Sequence, residues 1–314
     1  FQAEDGIRDA LVGLVGSEMC IRDRAYSFET EFRNPAGRVV PGSLPSTPPH
    51  RDRPPAARGS SDASDSVLIA EVVGEMRSIV ERAKTDDDVN GYFAAMYLGV
   101  TTTVERGLST GLFTTPERLS ALTVEFAGRY LDALALERRS EPPTRSWDAA
   151  FTAARTWRPT VLQHLLLGMN AHINLDLGVA CAQVAPGDAI GELEADFLEI
   201  NRVLAGLVRS VQDRLNRVSP LYRFVDDISG ETDRAVVNFS IARARTEAWR
   251  FALELAPLDA AARQQRIATR DDAVARIAAR VVRPGAIAST GLLAVRLTER
   301  GERAEIIDIL ASSE

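Results

Sequence analysis

The residues best suited to chemistry lie in one apolar stretch, residues 161–177, which reads VLQHLLLGMNAHINLDL and holds two of the chain's three histidines. Burying an unpaired polar group costs about 1–3 kcal/mol, so these side chains must meet partners or a ligand. His172 and Asp176 lie one helical turn apart, the spacing of a base and a carboxylate that orients it. The pair could instead be structural, with Gly168 one turn earlier serving only close packing.

Three amides form a second polar stripe on the same predicted helix. At about 100° per residue, Gln163, Asn170 and Asn174 fall on one face. Each amide can both donate and accept hydrogen bonds. The stripe therefore predicts either a ligand-binding surface or an interhelical polar network that fixes packing.

A second candidate stretch is the helix predicted over residues 231–255. Its helical wheel places Asn238, Arg245 and Trp249 beside an apolar face. A guanidinium that borders the core next to a tryptophan suits an anion or a buried carboxylate. We therefore expect Arg245 to join the His172 pair in one site, unless it only extends from the core edge to solvent. The candidate carboxylate partners of Arg245 are Asp132, Asp176 and Asp227.

Metal and nucleic-acid chemistry receive no support from the sequence. His164 and His172 lie two helical turns apart, about 12 Å along the axis, which is too far to bind one metal ion as an i, i+4 pair does. No metal site is predicted, and the cofactor is unknown. No P-loop, C-x-x-C or H-E-x-x-H motif occurs. The net charge of −7 lacks the basic excess of nucleic-acid binders, so no nucleic-acid partner is expected.

Composition divides the chain into three parts. Residues 1–24 resemble the translation of sequencing-adapter DNA, and we interpret them as an adapter-derived artefact. Residues 25–64, rich in Pro, Gly, Ser and Arg, are predicted to form a disordered leader. Residues 65–314 carry a helical apolar period without clean strand alternation, which predicts a single-domain, all-α orthogonal helical bundle. No run of 18 uncharged apolar residues occurs, so no transmembrane segment is expected.

Start and stop signals divide the folded region into helices. Thr115 followed by Pro116 predicts one N-terminus, because proline fits the first helical position, and Pro159 opens the helix that carries the polar stripes. We call this the central helix. The predicted helices cover residues 66–84, 86–108, 115–139, 146–157, 159–184, 190–218, 231–255, 259–282, 286–297 and 304–310.

Three motifs give the chain a resemblance to a known family. They read FAAMYLGVT at residues 93–101, GMNAHINLDL at residues 168–177 and FSIARARTEAW at residues 239–249. In this order and spacing, residues 66–255 resemble the bacterial family catalogued as domain of unknown function 5995. That family has asparagine after the phenylalanine of the first motif, where this chain has Ala94, so a role of that asparagine does not transfer. The resemblance implies a helical domain and no particular reaction.

These features predict a helical protein with a polar core site that binds a small polar or anionic molecule, with hydrolase-like chemistry as one option. The site would lie between the central helix and the helix of residues 231–255. The alternative is a noncatalytic structural or protein-interaction bundle, in which the same side chains only fix packing. The sequence decides neither enzymatic activity nor oligomeric state. A cytoplasmic location is expected.

Overall fold

Helices form wherever the structure describes the chain. The computed structural model describes residues 61–219, 221 and 241–312, and within these ranges there is no β-strand. The all-α prediction is therefore confirmed. The predictions for residues 1–24 and for all but the end of the leader fall outside the described residues, as do Asp227 and Asn238.

Eleven α-helices are found in these ranges. They are α1 (Ser61–Thr85), α2 (Gly91–Ser109), α3 (Pro116–Arg138), α4 (Arg145–Ala154), α5 (Val161–Ala171), α6 (Leu177–Val184), α7 (Glu194–Val218), α8 (Ile241–Leu255), α9 (Ala260–Val282), α10 (Ala286–Thr298) and α11 (Arg303–Ala311). A π-helical segment (His172–Asp176) joins α5 to α6 without a break, and a 3-10 helix (Gly187–Leu193) leads into α7. α1 begins inside the predicted leader, because the first turn of a helix accepts Ser and Asp.

Local signals start three helices as the sequence predicts. Pro116 occupies the first turn of α3. Thr160 and Gln163 form a capping box at the start of α5, in which each side-chain oxygen accepts a hydrogen bond from the other residue's main-chain N–H. Asp259 caps α9 by accepting a hydrogen bond of 2.8 Å from the N–H of Ala262.

Carboxylates from distant helices stabilise the starts of α4 and α3. Asp271 of α9 accepts hydrogen bonds from main-chain N–H groups at the start of α4, including that of Ser146 at 2.9 Å. Asp196 of α7 accepts hydrogen bonds from the N–H and the hydroxyl of Thr115, at 2.7 and 2.5 Å. These caps come from tertiary contacts, since neither N-cap residue, Thr115 or Thr144, caps its helix with its own side chain.

The central helix is α5, the π segment and α6 together, and α2, α3, α4, α8 and α9 pack around it. By length and hydropathy, Val161–Val184 is the one helix among the described residues that could cross a membrane. However, 94% of its most apolar window is buried inside the protein, and the core helix of a bundle passes the same test.

Two apolar clusters pack against successive halves of the central helix. The first surrounds α5 and includes residues of α1, α2, α3 and α4, whereas the second surrounds α6 and includes residues of α7 and α8. Phe126 and Ile173 pack against both clusters. The π segment, which contains Ile173, therefore lies at the junction of the two clusters.

Gly178 lets α6 and α8 approach closely. A Cβ atom at this position would lie 2.8 Å from the Ala248 carbonyl oxygen and 2.8 Å from Cδ1 of Phe251. Such distances are too short for real Cβ atoms. The packing of α6 on α8 therefore requires glycine here.

Candidate functional site

The predicted pair of His172 and Asp176 forms the first and last residues of the π segment. Nδ1 of His172 lies 3.3 Å from Oδ2 of Asp176, at the long end of a hydrogen bond. Both side chains are 2% exposed. π-Helical turns inside α-helices are frequent at functional sites, because they shift the side chains of one turn relative to the regular register.

Two residues from other helices also bind the Asp176 carboxylate. The indole N–H of Trp147 on α4 donates a hydrogen bond of 2.8 Å to Oδ2. Nε of Arg129 on α3 lies 3.4 Å from Oδ1, and the same guanidinium lies 3.5 Å from Glu125. Asp176 is thus held from three sides, which fixes its position beside the imidazole.

Aromatic rings surround the His172 imidazole. Phe126 stacks on it with ring centroids 3.6 Å apart and planes 6° apart, and Tyr97 meets it edge-on at 4.4 Å. Three further rings lie 5.8 to 6.3 Å from its centroid: Phe93, Trp147 and Tyr130. The cluster also explains Gly168, because a Cβ there would lie 2.4 Å from the Phe93 ring.

The electrostatics of this environment keep His172 neutral. Burial lowers its pKa below the ordinary 6.5, and the hydrogen bond to Asp176 opposes that shift only in part. With Asp176 as acceptor, Nδ1 carries the proton, which leaves Nε2 with its lone pair. Nε2 is buried and has no hydrogen-bond partner among the described residues. The arrangement is that of a general base with an orienting carboxylate.

The predicted amide stripe faces α9, and its amides bind protein groups. Nε2 of Gln163 donates to the Val281 carbonyl at 2.7 Å, and Nδ2 of Asn170 donates to the Val274 carbonyl at 3.0 Å. Nδ2 of Asn174 donates to Oδ1 of Asn170 at 3.0 Å. This is the interhelical network that the sequence left open as the alternative to a ligand-binding surface.

The described contacts of Arg245 lie on Phe197, whereas Asp176 is bound by His172, Trp147 and Arg129, so the expected shared site stays a prediction. The Arg245 guanidinium lies 4.5 Å from the centroid of the Phe197 ring and donates to the Phe197 carbonyl at 3.3 Å. Trp249 packs on the same ring at 4.8 Å. Asp176, one of the three candidate partners of Arg245, is bound by Arg129 of α3.

Burial dominates the electrostatics of Arg245 as well. The side chain is 4% exposed, and burial lowers its pKa to about 10. Asp132, another predicted partner, lies exposed on α3, and Asp227 and Asn238 lie outside the described residues. Arg245 and Trp249 thus belong to the second apolar cluster rather than to the His172 site.

Several residues of the site carry no recognisable signal in the sequence. Arg129, Trp147 and Tyr130 belong to predicted helices, but their spacing within those helices does not indicate which distant residue they contact. The first and second family-like motifs do meet, since Phe93 packs on Gly168 and His172. The presence of both motifs in the sequence could therefore have indicated that α2 lies beside the π segment.

Neither a serine-hydrolase site nor a metal site finds support in the geometry of the described residues. Residues 107–111 read GLSTG and match the G-x-S-x-G pattern of serine hydrolases. That motif needs a strand before the serine, whereas Ser109 is exposed at the end of α2 and donates to the Arg106 carbonyl at 2.8 Å. Within the described part of the chain, no group of three His, Cys, Asp or Glu side chains is placed to hold a metal ion.

Comparison with known proteins gives one positive result. A family model described as "Family of unknown function (DUF5995)" matches residues 69–284, which include the central helix and every described residue of the site. A search of curated proteins found no match, and neither did a search of solved structures. Because the matched region covers more than half of the 314 residues, the chain belongs to the DUF5995 family, whose function is unknown.

Proposed function

We propose that the protein binds a small molecule at Nε2 of His172, with hydrolase-like general-base chemistry as the activity of that site. One observation carries the proposal: Nε2 is buried without a partner among the described residues, while Nδ1 is bound to Asp176. Buried polar atoms in folded proteins almost always have a partner, and exceptions are concentrated at catalytic and ligand-binding positions.

Phe126 and Arg129 are the half-buried members of the site, one turn apart on α3. Phe126 covers one face of the imidazole, and Arg129 covers Asp176. The proposal requires these two side chains to move when a molecule reaches the imidazole.

The chemistry follows from the protonation state. A neutral imidazole accepts a proton at Nε2 from an attacking water molecule and returns it to the leaving group, while Asp176 stabilises the imidazolium formed in between. Since the imidazole is neutral already, this base needs no prior deprotonation at neutral pH.

The second candidate function is a noncatalytic structural or protein-interaction bundle. The amide stripe favours it, because all three amides are used in hydrogen bonds that join the central helix to α9 or to each other. In that case His172 would only fill the core, and its variants would change stability alone.

Two near-isosteric variants separate the candidates. His172→Asn keeps an amide near the position of Nδ1, so it retains a donor for Asp176 but loses Nε2. His172→Gln keeps an amide near the position of Nε2. We expect a thermal-shift screen with acetate, acetamide, glycerol and methyl acetate to find a compound that raises the Tm of the wild type. His172→Asn should lose this shift, and His172→Gln should retain part of it.

Arg245→Met is the matched control, because it removes a buried cation outside the His172 site. Its ligand-induced shift should equal that of the wild type. For methyl acetate, acetate release followed by NMR should exceed the background rate in the wild type and fall to background in His172→Asn. If no compound shifts the wild type and both His172 variants only lose stability, the structural bundle is the correct function.

A further inference from the structure

A cavity of about 20 Å³ lies beneath the turn between α1 and α2. That volume exceeds the roughly 10–15 Å³ that one water molecule needs, so the cavity holds one water-sized group as it stands, and a larger molecule enters only when the lining side chains move apart. Phe93, Tyr130 and Trp147 line the cavity and also contact the His172 ring. His172 itself is not among the lining residues.

Tyr130 lines this cavity and carries an unsatisfied polar group. Its side chain is 1% exposed, and its hydroxyl has no hydrogen-bond partner among the described residues. Burial raises the pKa of this hydroxyl, with a smaller contribution from Asp88, so the group stays protonated and can donate a hydrogen bond. Leaving such a group unpaired is unfavourable, and a bound polar molecule would supply the missing hydrogen bond.

Asn90 and His164 add two more polar side chains to the lining. Asn90 precedes α2 at the position where asparagine usually caps a helix, yet its side chain makes no cap hydrogen bond. Its amide makes no hydrogen bond to another residue in the described part of the chain, although its N–H binds Asp88 at 2.9 Å. The neutral ring of His164 carries one nitrogen that can donate a hydrogen bond and one that can accept it.

The lining contains no charged side chain. Its other members are apolar side chains or glycine, namely Val89, Phe93, Trp147, Ala150, Phe151 and Gly168. Burial lowers the pKa of His164 to about 3, with the nearby Arg296 adding to the shift, so this imidazole is neutral at physiological pH. An ion that entered the cavity would lose its hydration without gaining a counter-charge, which is strongly unfavourable.

The geometry points to this cavity as a binding site for a small uncharged polar molecule, which accepts a hydrogen bond from Tyr130 and bonds to Asn90 or His164. The site is separate from the His172 site. It requires no chemistry at Nε2, so either of the two sites can exist without the other. Val89 and Asn90 are the half-buried members of the lining, so the molecule would reach the cavity past them.

Formamide and formate provide a matched pair of probes, since they have the same shape and differ in charge. The full chain would be titrated with each, and the indole N–H resonance of Trp147 would be followed by ¹H–¹⁵N NMR after assignment with Trp147→Phe. Formamide is expected to shift this resonance in a saturable manner, whereas formate is expected to leave it unchanged.

Two hydroxyl deletions test the role of Tyr130. Tyr130→Phe should weaken formamide binding about fivefold, the loss of one neutral hydrogen bond. Tyr97→Phe is the control, because that hydroxyl bonds to Thr101 and the residue does not line the cavity. It should leave formamide binding unchanged.

Three results would contradict a binding site in this cavity. No saturable shift with formamide, equal shifts with formate, or equal binding by Tyr130→Phe and the wild type would each overturn the proposal. His172→Asn separates this site from the proposed function, because that variant should still bind formamide in the cavity. If the wild type binds formamide but no compound shifts its Tm in the His172 screen, the cavity site stands and the general-base proposal for His172 is wrong.

Discussion

At the scale of single residues, the two described histidines face the same physical constraint. His164 and His172 are 9% and 2% exposed, and burial lowers the pKa of both below the ordinary value of 6.5. The unfolded chain binds a proton on each as the pH falls through 6.5, whereas the folded chain does not. The contribution of these neutral histidines to the free energy of unfolding is therefore fully present above pH 6.5 and decreases as the pH falls below it.

The loss of stability at low pH can be predicted quantitatively for His164. Between pH 6.5 and the folded-state pKa of about 3, His164 should remove about 1.4 kcal/mol from the free energy of unfolding per pH unit. Urea unfolding of the wild type and of His164→Asn at pH 7.5, 6.0, 5.0 and 4.0 would measure it. The difference between the two curves isolates His164 from the carboxylates, which titrate in both proteins. Parallel curves would show that His164 is protonated in the folded state.

The residue scale also shows how much of the site could be predicted from the sequence. The bond between His172 and Asp176 follows from their spacing, because residues four apart meet on any helix. A helical wheel shows which face of a helix is apolar but not which neighbour covers it, so the sequence did not indicate that Arg245 packs on Phe197. Arg129 and Trp147 reach Asp176 only because α3 and α4 pack beside the π segment. The spacing of residues within one helix does not indicate which other helices pack against it.

At the scale of helices, starts and stops were predicted within a few residues where proline, threonine or aspartate acts locally. Pro116 at the start of α3 and the cap by Asp259 are examples. The caps that Asp196 and Asp271 supply from elsewhere in the chain leave no local signal in the sequence. The π segment was predicted as regular helix, because its apolar residues fit either register.

The contact of α6 with α8 provides the sharpest test of helix packing. Gly178→Ala should lower the free energy of unfolding by about 1–3 kcal/mol, because its Cβ would meet the backbone oxygen of Ala248, which cannot rotate away. Gly128→Ala is the matched control, since a Cβ there meets nothing within 4 Å. That variant should gain about 0.5–1 kcal/mol from helix propensity. Equal effects in urea unfolding would contradict the close approach.

At the scale of the whole molecule, the family match and the described helices concern only the region after residue 60. The interpretation of residues 1–24 as adapter-derived stays a prediction. Deleting them should leave the Tm of the protein unchanged in calorimetry, because such a segment has no reason to complement a core. A Tm lower by several degrees would mean that the segment contributes to the fold.

The hydrogen bond between Asn170 and Val274 spans 104 residues of sequence, and this has a consequence during synthesis. A ribosome adds about 5–20 residues per second, so α9 emerges roughly 5–20 s after the central helix it must cover. Throughout that interval the side of Val161–Val184 that later packs on α9 stays uncovered, with the amides that bind α9 still hydrated. This side of the central helix is therefore among the last parts of the core to be covered during synthesis.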